Sequence, residues 1–443
     1  MNRVTYKKLS AREIALYLLS RVELQGAYAD RILVSPRVLN LQQRDQAFVR
    51  ELLLGVLRWK LHLDRIIDIY HTKSSHSLNP DIRNILRYGL FQMIFMNSVP
   101  VWAAVNESVY LAAGRHGKGA AGLVNAILRR FDRDGEPPLP VDLEERLSVE
   151  TSNPYWLVKR WCANYGFDTA ESMCRATSEK HPIFIRTNGG RITTQELVCK
   201  LEHEHFNAVE VSKMPGYVAV SKGHGLFETK AFKDGLFTVQ DPSAGVASFL
   251  LKPQQGESIV DLCAAPGGKT THCAEMTGDC GQITAVDIHP SRLGLVRSSA
   301  QRLGFTSIVY VEGDASIFRR EDNILYDRVL IDVPCSGTGV FSKRPDMKWR
   351  IQEDDLGRLA SVQREFLENA SHLVKPGGIL VYSTCSIEHE ENEDVIRWFL
   401  DHHKEFSIEH EELFHDFERD GCYLILPHLM DGTGAFAAKL KRV

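Results

Sequence analysis

The carboxyl-terminal half of this 443-residue chain alternates short segments rich in β-branched residues with longer segments of helical apolar spacing. The alternation begins at about Leu236 and runs through ESIVDL, QITAVD, SIVYVE and YDRVLID. This rhythm favours a parallel sheet with helices on both faces. In such sheets, ligands bind beyond the carboxyl ends of the strands. We therefore predict a Rossmann-like α/β domain over residues 236–443, with its functional site at the strand ends.

The segment DLCAAPGGKTTH, Asp261 to His272, places two glycines between a predicted strand and a predicted helix. Small residues let a ligand approach the backbone, and a helix N-terminus offers unpaired N–H groups. The letters GGKT resemble the end of a P-loop, but the glycine that a P-loop requires five residues before Gly268 is replaced by Cys263. The segment therefore predicts a cofactor loop and argues against ATP.

Three acidic residues, Asp287, Asp314 and Asp332, follow three further predicted strands. A carboxylate about twenty residues after the glycines can accept hydrogen bonds from both ribose hydroxyls, and Asp287 has this spacing. We expect Asp314 to contact adenine or to brace its loop, and Asp332 to lie near the reactive end of the cofactor. Each acid alone is also explained as a helix cap or a turn residue. The three together favour a nucleoside site.

The nine cysteines form no C-x-x-C pair; they are Cys162, Cys174, Cys199, Cys263, Cys273, Cys280, Cys335, Cys385 and Cys422. This spacing argues against a bound metal and against a disulfide framework. It favours a reducing, cytoplasmic compartment, in which single thiols stay free for chemistry.

Two of these cysteines follow predicted strands beside the expected nucleoside site: Cys335 in DVPCSG and Cys385 in VYSTCS. A thiolate that adds to carbon 6 of cytosine makes carbon 5 nucleophilic, and covalent catalysis often divides a difficult step in this way. Either cysteine alone is better explained as a small buried apolar residue. The two together predict thiolate chemistry, and the residues by themselves leave the choice of nucleophile open.

An acid-rich stretch follows Cys385 and predicts the start of a helix. Such a helix start would favour the thiolate form of Cys385. We explain the acids Glu388, Glu390 and Glu391 by the preference of carboxylates for the first helical turn, and we expect no catalytic role for them.

The front of the chain has helical apolar spacing from Ser10 to about Phe131, and it predicts an all-α domain over residues 1–135. Residues 1–135 hold 20 Lys+Arg and 11 Asp+Glu. This excess of positive charge indicates either a nucleic-acid surface or a solvated charged face. After a linker rich in turn residues, residues 141–235 mix short strands and helices and predict a small α/β subdomain of a kind that binds RNA.

No apolar run in the sequence is long enough to predict a membrane span. The first residues, MNRVTYKKLSAREIALYLL, have the spacing of an amphipathic helix and lack the small-residue cleavage site of a signal peptide. We therefore expect a protein that does not bind membranes.

Several motifs resemble the RNA cytosine-5 methyltransferases of the Nol1/Nop2/Sun family. They are CAAPGGKTTH, AVDIHPSRL, DVPCSGTG, RPDMKW, KPGG, YSTCS and GTGAFAAKL, and together they span the final domain. Cytosine-5 enzymes that act on DNA use only the cysteine of a Pro-Cys motif. Enzymes that methylate amino groups carry an Asn/Asp-Pro-Pro-Tyr motif, which this chain lacks.

The resemblance implies roles for individual residues. It makes Cys385 the nucleophile and Cys335 the residue that assists product release. It also assigns S-adenosyl-L-methionine as the cofactor. The implied cofactor-binding residues are Cys263, Ala264, Ala265, Pro266, Gly267, Gly268, Lys269, Asp287, Asp314 and Asp332.

The front of the chain resembles the NusB fold through SAREIALYLL, RDQAFVRELLLGVLRW and GLVNAILRRF. The arrangement of a NusB-like domain before such a catalytic domain resembles that of family members that act on ribosomal RNA. It implies cytosine 967 of 16S ribosomal RNA, unassembled or partly assembled, as the target of a monomer. We expect the loop with Lys343, Arg344 and Lys348 to position the RNA. The alternatives are another RNA target, or an RNA-binding assembly factor without activity.

Overall fold

The computed structural model describes residues 9–71, 78–222, 225–319 and 324–443. The chain divides into two compact units. The first comprises the residues up to Ser178 together with Phe341–Arg350, and the second comprises Glu179–Val340 and Ile351–Val443. The first eight residues of the predicted N-terminal helix lie outside the described ranges.

The described part of the first unit is helical. Its helices are α1 (Ala11–Gln25), α2 (Ala29–Leu33), α3 (Pro36–Leu39), α4 (Gln43–Arg58), α5 (Lys60–Tyr70), α6 (Pro80–Phe95), α7 (Val101–Asp134), α8 (Leu143–Thr151), α9 (Tyr155–Tyr165) and α10 (Phe167–Ser178). Helix α1 shows how local sequence sets these bounds: Ser10 and Glu13 form a capping box, and Gly26 ends the helix in the left-handed conformation.

The core of this unit is formed by buried aliphatic and aromatic side chains of α1 and α4–α7. The predicted all-α fold is confirmed. Helices α8–α10, which begin inside the predicted small subdomain, are part of the first compact unit. The domain bounds 1–135, 141–235 and 236–443 stay predictions, because the compact units divide at other positions.

The segment Phe341–Arg350 joins the first unit although it follows the Pro-Cys motif in sequence. The Trp349 indole N–H donates to the carbonyl of Leu57 at 2.7 Å, and Asp346 accepts from the N–H of Ala29 at 3.3 Å. Arg350 donates to the carbonyl of Gly26 at 3.0 Å. Side chains beside the loop that we expected to position RNA are therefore used in packing.

The second unit begins with a small antiparallel sheet of order β2-β3-β1-β4. Its elements are β1 (Ile183–Thr187), α11 (Thr194–His203), β2 (Asn207–Glu210), β3 (Tyr217–Lys222), α12 (Lys230–Lys233) and β4 (Phe237–Val239). This is the predicted small α/β subdomain, and its fold class is confirmed.

A larger sheet of nine strands carries the candidate site. Its elements are α13 (Pro242–Leu251), β5 (Ser258–Leu262), α14 (Gly268–Met276), β6 (Gln282–Asp287), α15 (Pro290–Leu303), β7 (Ile308–Glu312), β8 (Tyr326–Asp332), α16 (Glu353–Ser371), β9 (Val374–Thr384), α17 (Glu393–His402), β10 (Phe406–Ile408), β11 (Glu418–Arg419), β12 (Cys422–Ile425) and β13 (Ala435–Arg442).

The strands β9-β8-β5-β6-β7 are parallel, as predicted, and they form the Rossmann-like part of the sheet. The remainder differs from the predicted parallel sheet, because β13 pairs antiparallel with β9 and extends the sheet through β12 and β11. In the part of the chain that the structure describes, no helix is long and apolar enough to cross a membrane.

Candidate active site

The cofactor loop connects the end of β5 to the start of α14 and contains the predicted residues Cys263 to Lys269. Its backbone turns through positive φ at Cys263 (64°) and at Gly267 (104°). A Cβ atom on Gly267 would lie 2.9 Å from a methyl group of Val296, so the turn requires glycine here. Burial raises the pKa of Cys263, which makes this cysteine an inert thiol.

Asp287 lies at the end of β6 and its side chain is buried. Its carboxylate accepts from the N–H of Ala265 at 3.2 Å and from the N–H of His289 at 3.0 Å. The Oδ2 atom also lies 3.5 Å from the Arg292 guanidinium, whereas Oδ1 accepts only from His289 among the contacts described and retains a lone pair. Asp287 therefore holds the cofactor loop and can still accept hydrogen bonds from a ribose.

Asp314 follows β7 and accepts from the backbone N–H of Ser316 at 2.9 Å and from its hydroxyl at 2.7 Å. This local pattern is that of an Asx turn. The Asp314 carboxylate therefore braces its own loop, and its expected role toward adenine stays a prediction.

Asp332 lies at the end of β8, where it accepts from the Lys269 ammonium at 2.7 Å and from the Ser383 hydroxyl at 2.8 Å. Burial acts to lower the pKa of Lys269, but the Asp332 carboxylate outweighs it, and the pKa of Lys269 is raised. The pair therefore joins the cofactor loop to the ends of β8 and β9. Sequence reasoning named both residues but did not pair them.

Asp261, within β5, was missed by the sequence analysis. It is fully buried, and one carboxyl oxygen accepts from the Thr270 hydroxyl at 2.5 Å. Its other oxygen has no hydrogen-bond partner among the described residues. Burial raises the pKa of Asp261 to about 7. An acid inside the apolar run SIVDL was the sequence signal for this position.

The two predicted cysteines meet at the ends of the adjacent strands β8 and β9. Their sulfur atoms, of Cys335 and Cys385, lie 3.1 Å apart. The contact with Cys385 raises the pKa of Cys335, and burial raises it further. The raised pKa favours the thiol form of Cys335, whose sulfur lies within hydrogen-bond distance of the Cys385 sulfur.

Main-chain contacts hold the two cysteine segments together. The N–H of Gly339 donates to the carbonyl of Cys385 at 3.0 Å, and the N–H of Gly434 donates to the carbonyl of Gly339 at 2.6 Å. A Cβ atom on Gly339 would lie 2.8 Å from the carbonyl oxygen of Cys385. The close approach of the two segments therefore depends on glycine at this position.

A small cavity of about 40 Å³ adjoins Cys385. Its lining includes Asp241, Lys269, Ser383 and Phe436. The cavity therefore has one apolar aromatic wall and one wall that carries the cation of the Lys269–Asp332 pair.

The α-helix that we expected directly after Cys385 does not begin there. The acids there form a single 3-10 turn, His389–Glu391, and the α-helix α17 begins only at Glu393. The first-turn explanation for Glu391 is also wrong, because its carboxylate is fully buried and accepts from Ser336 rather than capping a helix, whereas the absence of a catalytic role stays a prediction. Nothing in the run of acids distinguished this residue from its neighbours, since Glu388 is equally buried and only tertiary contacts show that Glu391 accepts from Ser336.

The expected RNA-positioning role of Lys348 is wrong as well. Its side chain is 1% exposed, and its ammonium donates to the Ser178 hydroxyl at 3.4 Å. Burial and, to a smaller extent, nearby Arg58 lower the pKa of Lys348 to about 7. Arg344 forms an ion pair with Asp30 at 3.2 Å.

The comparisons with known proteins agree with this architecture. The family described as 16S rRNA methyltransferase RsmB/F matches residues 248–441, the NusB family matches 9–133, and the ferredoxin-like domain of RsmF/B-like methyltransferases matches 153–224. A probable ribosomal RNA small subunit methyltransferase B of Bacillus subtilis is 36% identical over 446 residues, which cover 98% of this chain and 99% of that protein. The chain belongs to the RsmB/F family.

Two further proteins illustrate the extent of the RsmB/F likeness. The ribosomal RNA small subunit methyltransferase B of Sodalis glossinidius is 32% identical over 97% of both chains. The crystal structure of PH0851 covers all of both chains with a TM-score of 0.82 and 27% identity. The resemblance that the motifs carried is confirmed, and so is the predicted order of an all-α domain, a small α/β subdomain and a methyltransferase domain.

Proposed function

We propose that this RsmB/F-family chain methylates carbon 5 of a cytosine in 16S ribosomal RNA, and that the target is cytosine 967. The observation that carries the proposal is the 3.1 Å separation of the Cys335 and Cys385 sulfurs beside the Lys269–Asp332 pair. The ribosomal substrate is supported by the relatives named above, which are small-subunit RNA methyltransferases.

The cofactor loop has the features that S-adenosylmethionine requires. Gly267 lets the loop turn tightly against Val296, Asp287 retains acceptor capacity for a ribose, and Asp314 braces the loop that follows β7. The unpartnered buried oxygen of Asp261 suits a cationic or hydrogen-bond-donating group. When bound, S-adenosylmethionine supplies an electrophilic methyl group.

Cys385 begins the reaction by adding its thiolate to carbon 6 of the cytosine, which forms a carbon–sulfur bond and moves the double-bond electrons toward carbon 5. Attraction to Cys385 contributes to the raised pKa of Lys269, and because attraction is mutual, the Lys269 cation stabilises the thiolate. This electron pair would form the new bond from carbon 5 to the methyl group of bound S-adenosylmethionine, and the sulfur–methyl bond of the cofactor would break with its electrons staying on sulfur.

Product release reverses the addition. A base removes the proton from carbon 5, the electrons of that bond restore the double bond, and the carbon–sulfur bond breaks with its electrons returning to Cys385. Cys335 assists this step, because a protonated thiol 3.1 Å from the departing sulfur stabilises the thiolate by a hydrogen bond.

Methyl transfer to a 16S ribosomal RNA transcript tests the proposal. Cys385→Ala removes the nucleophile, and we expect methyl incorporation to fall at least 1000-fold, about 4 kcal/mol of barrier. Cys335→Ala retains the first methyl transfer but accumulates a covalent protein–RNA adduct on denaturing gels. Cys280→Ala, a change of an exposed cysteine away from the strand ends, is the matched control and stays active. Adduct from Cys385→Ala instead would exchange the two roles.

The position of the methyl group is tested on the same RNA. Bisulfite sequencing detects methylation at carbon 5, and the expected result is one protected cytosine, number 967. Protection at another cytosine would change the target and leave the chemistry intact. Methylated RNA without any protected cytosine would contradict the carbon 5 assignment.

A further inference from the structure

Glu391 is a fully buried carboxylate in the 3-10 turn that follows the Cys385 segment. Its backbone carbonyl accepts from the Tyr382 hydroxyl at 2.6 Å. Tyr382 belongs to β9 and precedes Cys385 by three residues, so this bond fixes Glu391 to the strand that ends at the nucleophile.

The Glu391 side chain is directed at the other cysteine segment. One carboxylate oxygen accepts from the N–H of Ser336 and from the Gln363 side chain, both at 2.9 Å. The other oxygen accepts from the Ser336 hydroxyl. The three groups are all donors, which is the pattern that a carboxylate satisfies as an acceptor.

Gln363 completes the contact on the other side of Cys335. The same side-chain amide donates to the carbonyl of Pro334 at 3.0 Å. Pro334 and Ser336 flank Cys335, so the residues before and after this thiol are both tied, directly or through one amide, to Glu391.

A buried carboxylate is costly unless several hydrogen bonds compensate for its lost hydration. The three donors that converge on Glu391 provide this compensation, and charge-assisted hydrogen bonds are the stronger kind. A second link crosses the same gap, where the Ser336 and Ser386 hydroxyls lie 3.1 Å apart. The Glu391 carboxylate therefore lies where its hydrogen bonds fix the Cys335 segment relative to the Cys385 segment.

We propose that Glu391 is a positioning residue for product release, which fixes the Pro334–Ser336 segment so that the Cys335 thiol meets the Cys385 sulfur. This inference rests on the proposed function, in which Cys335 assists the breakdown of the adduct. It predicts that a defect at Glu391 appears at release rather than at addition.

Glu391→Gln tests the inference with almost no change of volume. With a 16S ribosomal RNA transcript and S-adenosylmethionine, we expect the first methyl transfer to stay within about threefold of the wild type. Multiple turnover falls at least tenfold, and covalent adduct accumulates on denaturing gels. Glu393→Gln, two residues along and paired with His389 at the helix surface, is the matched control and accumulates no adduct.

The double variant Glu391→Gln/Cys335→Ala separates positioning from general stability. If Glu391 acts through Cys335, the double variant has the same adduct level and the same rate of first transfer as Cys335→Ala alone. A further tenfold loss of first transfer in the double variant would overturn the inference.

Ser336→Ala removes one hydroxyl donor to Glu391 and changes only a small side chain. This variant replaces Glu391→Gln in the experiment if Glu391→Gln fails to fold. We expect it to accumulate adduct at a level between those of the wild type and Cys335→Ala. Adduct from Cys335→Ala together with none from either Glu391→Gln or Ser336→Ala overturns the role of Glu391 alone. Absence of adduct from Cys335→Ala itself overturns the proposed function, and the inference falls with it.

Discussion

Asp261 combines full burial with an unpartnered oxygen directly beneath the cofactor loop. Burial raises its pKa to about 7, whereas an aspartate in the unfolded chain titrates near pH 4. The folded chain therefore binds one proton more than the unfolded chain between these values. Its stability falls as the pH rises through this window and is level above it.

Asp261→Asn removes this titration. Between pH 5 and pH 7, we expect the free energy of unfolding of the wild type to fall by about 2 kcal/mol relative to the variant, measured by urea denaturation. Asp279→Asn is the control, because hydrogen bonds from Ser307 and Thr306 outweigh burial and lower the pKa of Asp279, so that its titration lies below this range. A constant difference between the wild type and Asp261→Asn from pH 5 to pH 7 would contradict the assignment.

The chemistry-bearing residues were predictable one by one because strand ends can be read from the sequence. Cys335, Cys385 and Asp332 each follow a β-rich run, and parallel strands bring their carboxyl ends to one edge. Glu391 was not predictable, because several acids surround it and only the tertiary fold shows that Glu388 and Glu391 are buried and that Glu391 contacts Ser336. Lys348 was assigned to RNA for the same reason, since a lysine in a loop is usually exposed.

At the scale of elements, β1 of the small sheet supports the cofactor loop of the large one within the second unit. The Arg186 guanidinium is 2% exposed, and it donates to the carbonyl of Gly268 at 2.9 Å and to the Thr271 hydroxyl at 3.2 Å. It also forms an ion pair with Glu275 in α14 at 3.0 Å. The small subdomain thus fixes the N-terminus of the helix that follows the glycines.

Arg186→Met should destabilise the protein by roughly 3 kcal/mol, because it leaves a carboxylate without its buried partner. We expect the Kd for S-adenosylmethionine, measured by calorimetry, to rise at least tenfold. Adding Glu275→Gln restores part of the stability but not the affinity, since the Gly268 carbonyl remains unsupported. Arg175→Met, at an exposed helical ion pair, leaves both quantities unchanged. Unaltered cofactor affinity in Arg186→Met would show that β1 does not support the loop.

Lys348 is buried within the first unit. Its substitution by methionine distinguishes a role in packing from a role in RNA binding. The unfolded chain binds more protons than the folded chain between the lowered pKa of about 7 and the ordinary value near 10.4, so stability rises with pH across this window. Lys348→Met should therefore be the more stable protein at pH 7, by at least about 1 kcal/mol, with a gap that narrows toward pH 10.

RNA affinity provides the second measurement on Lys348→Met. A buried lysine contacts no phosphate, so we expect the salt dependence of RNA binding to be the same as in the wild type. The exposed Lys404→Met serves as the control for stability. A decrease of about one unit in the slope of log binding constant against log salt concentration would show that Lys348 contacts an RNA phosphate.

The antiparallel edge of the large sheet was not predicted from the sequence. The strands β10, β11 and β12 have only two to four residues each, and the segments of β10–β13 follow α17 without the alternation that marks the parallel part. Their placement depends on pairing between β13 and β9, which is a non-local contact. Local patterns specify neither the partner strand nor its direction.

At the scale of the whole molecule, the order of an all-α domain, a small α/β subdomain and a methyltransferase domain was predictable because each part has its own periodicity and its own motifs. The borders of the compact units were not, since α8–α10 and Phe341–Arg350 join the first unit through tertiary packing. The central claim concerns one bond, between the sulfur of Cys385 and carbon 6 of a cytosine.

The most direct measurement of this bond uses 16S ribosomal RNA transcribed with 5-fluorocytidine. Fluorine replaces the hydrogen on carbon 5, so after methyl transfer no proton can be removed and the adduct cannot break down. Mass spectrometry of the digested wild-type complex then identifies the attached residue. We predict a methylated fluorocytidine nucleotide on the peptide that contains Cys385, with the Cys335 peptide unmodified. A nucleotide on Cys335, or no covalent complex at all, would contradict the account.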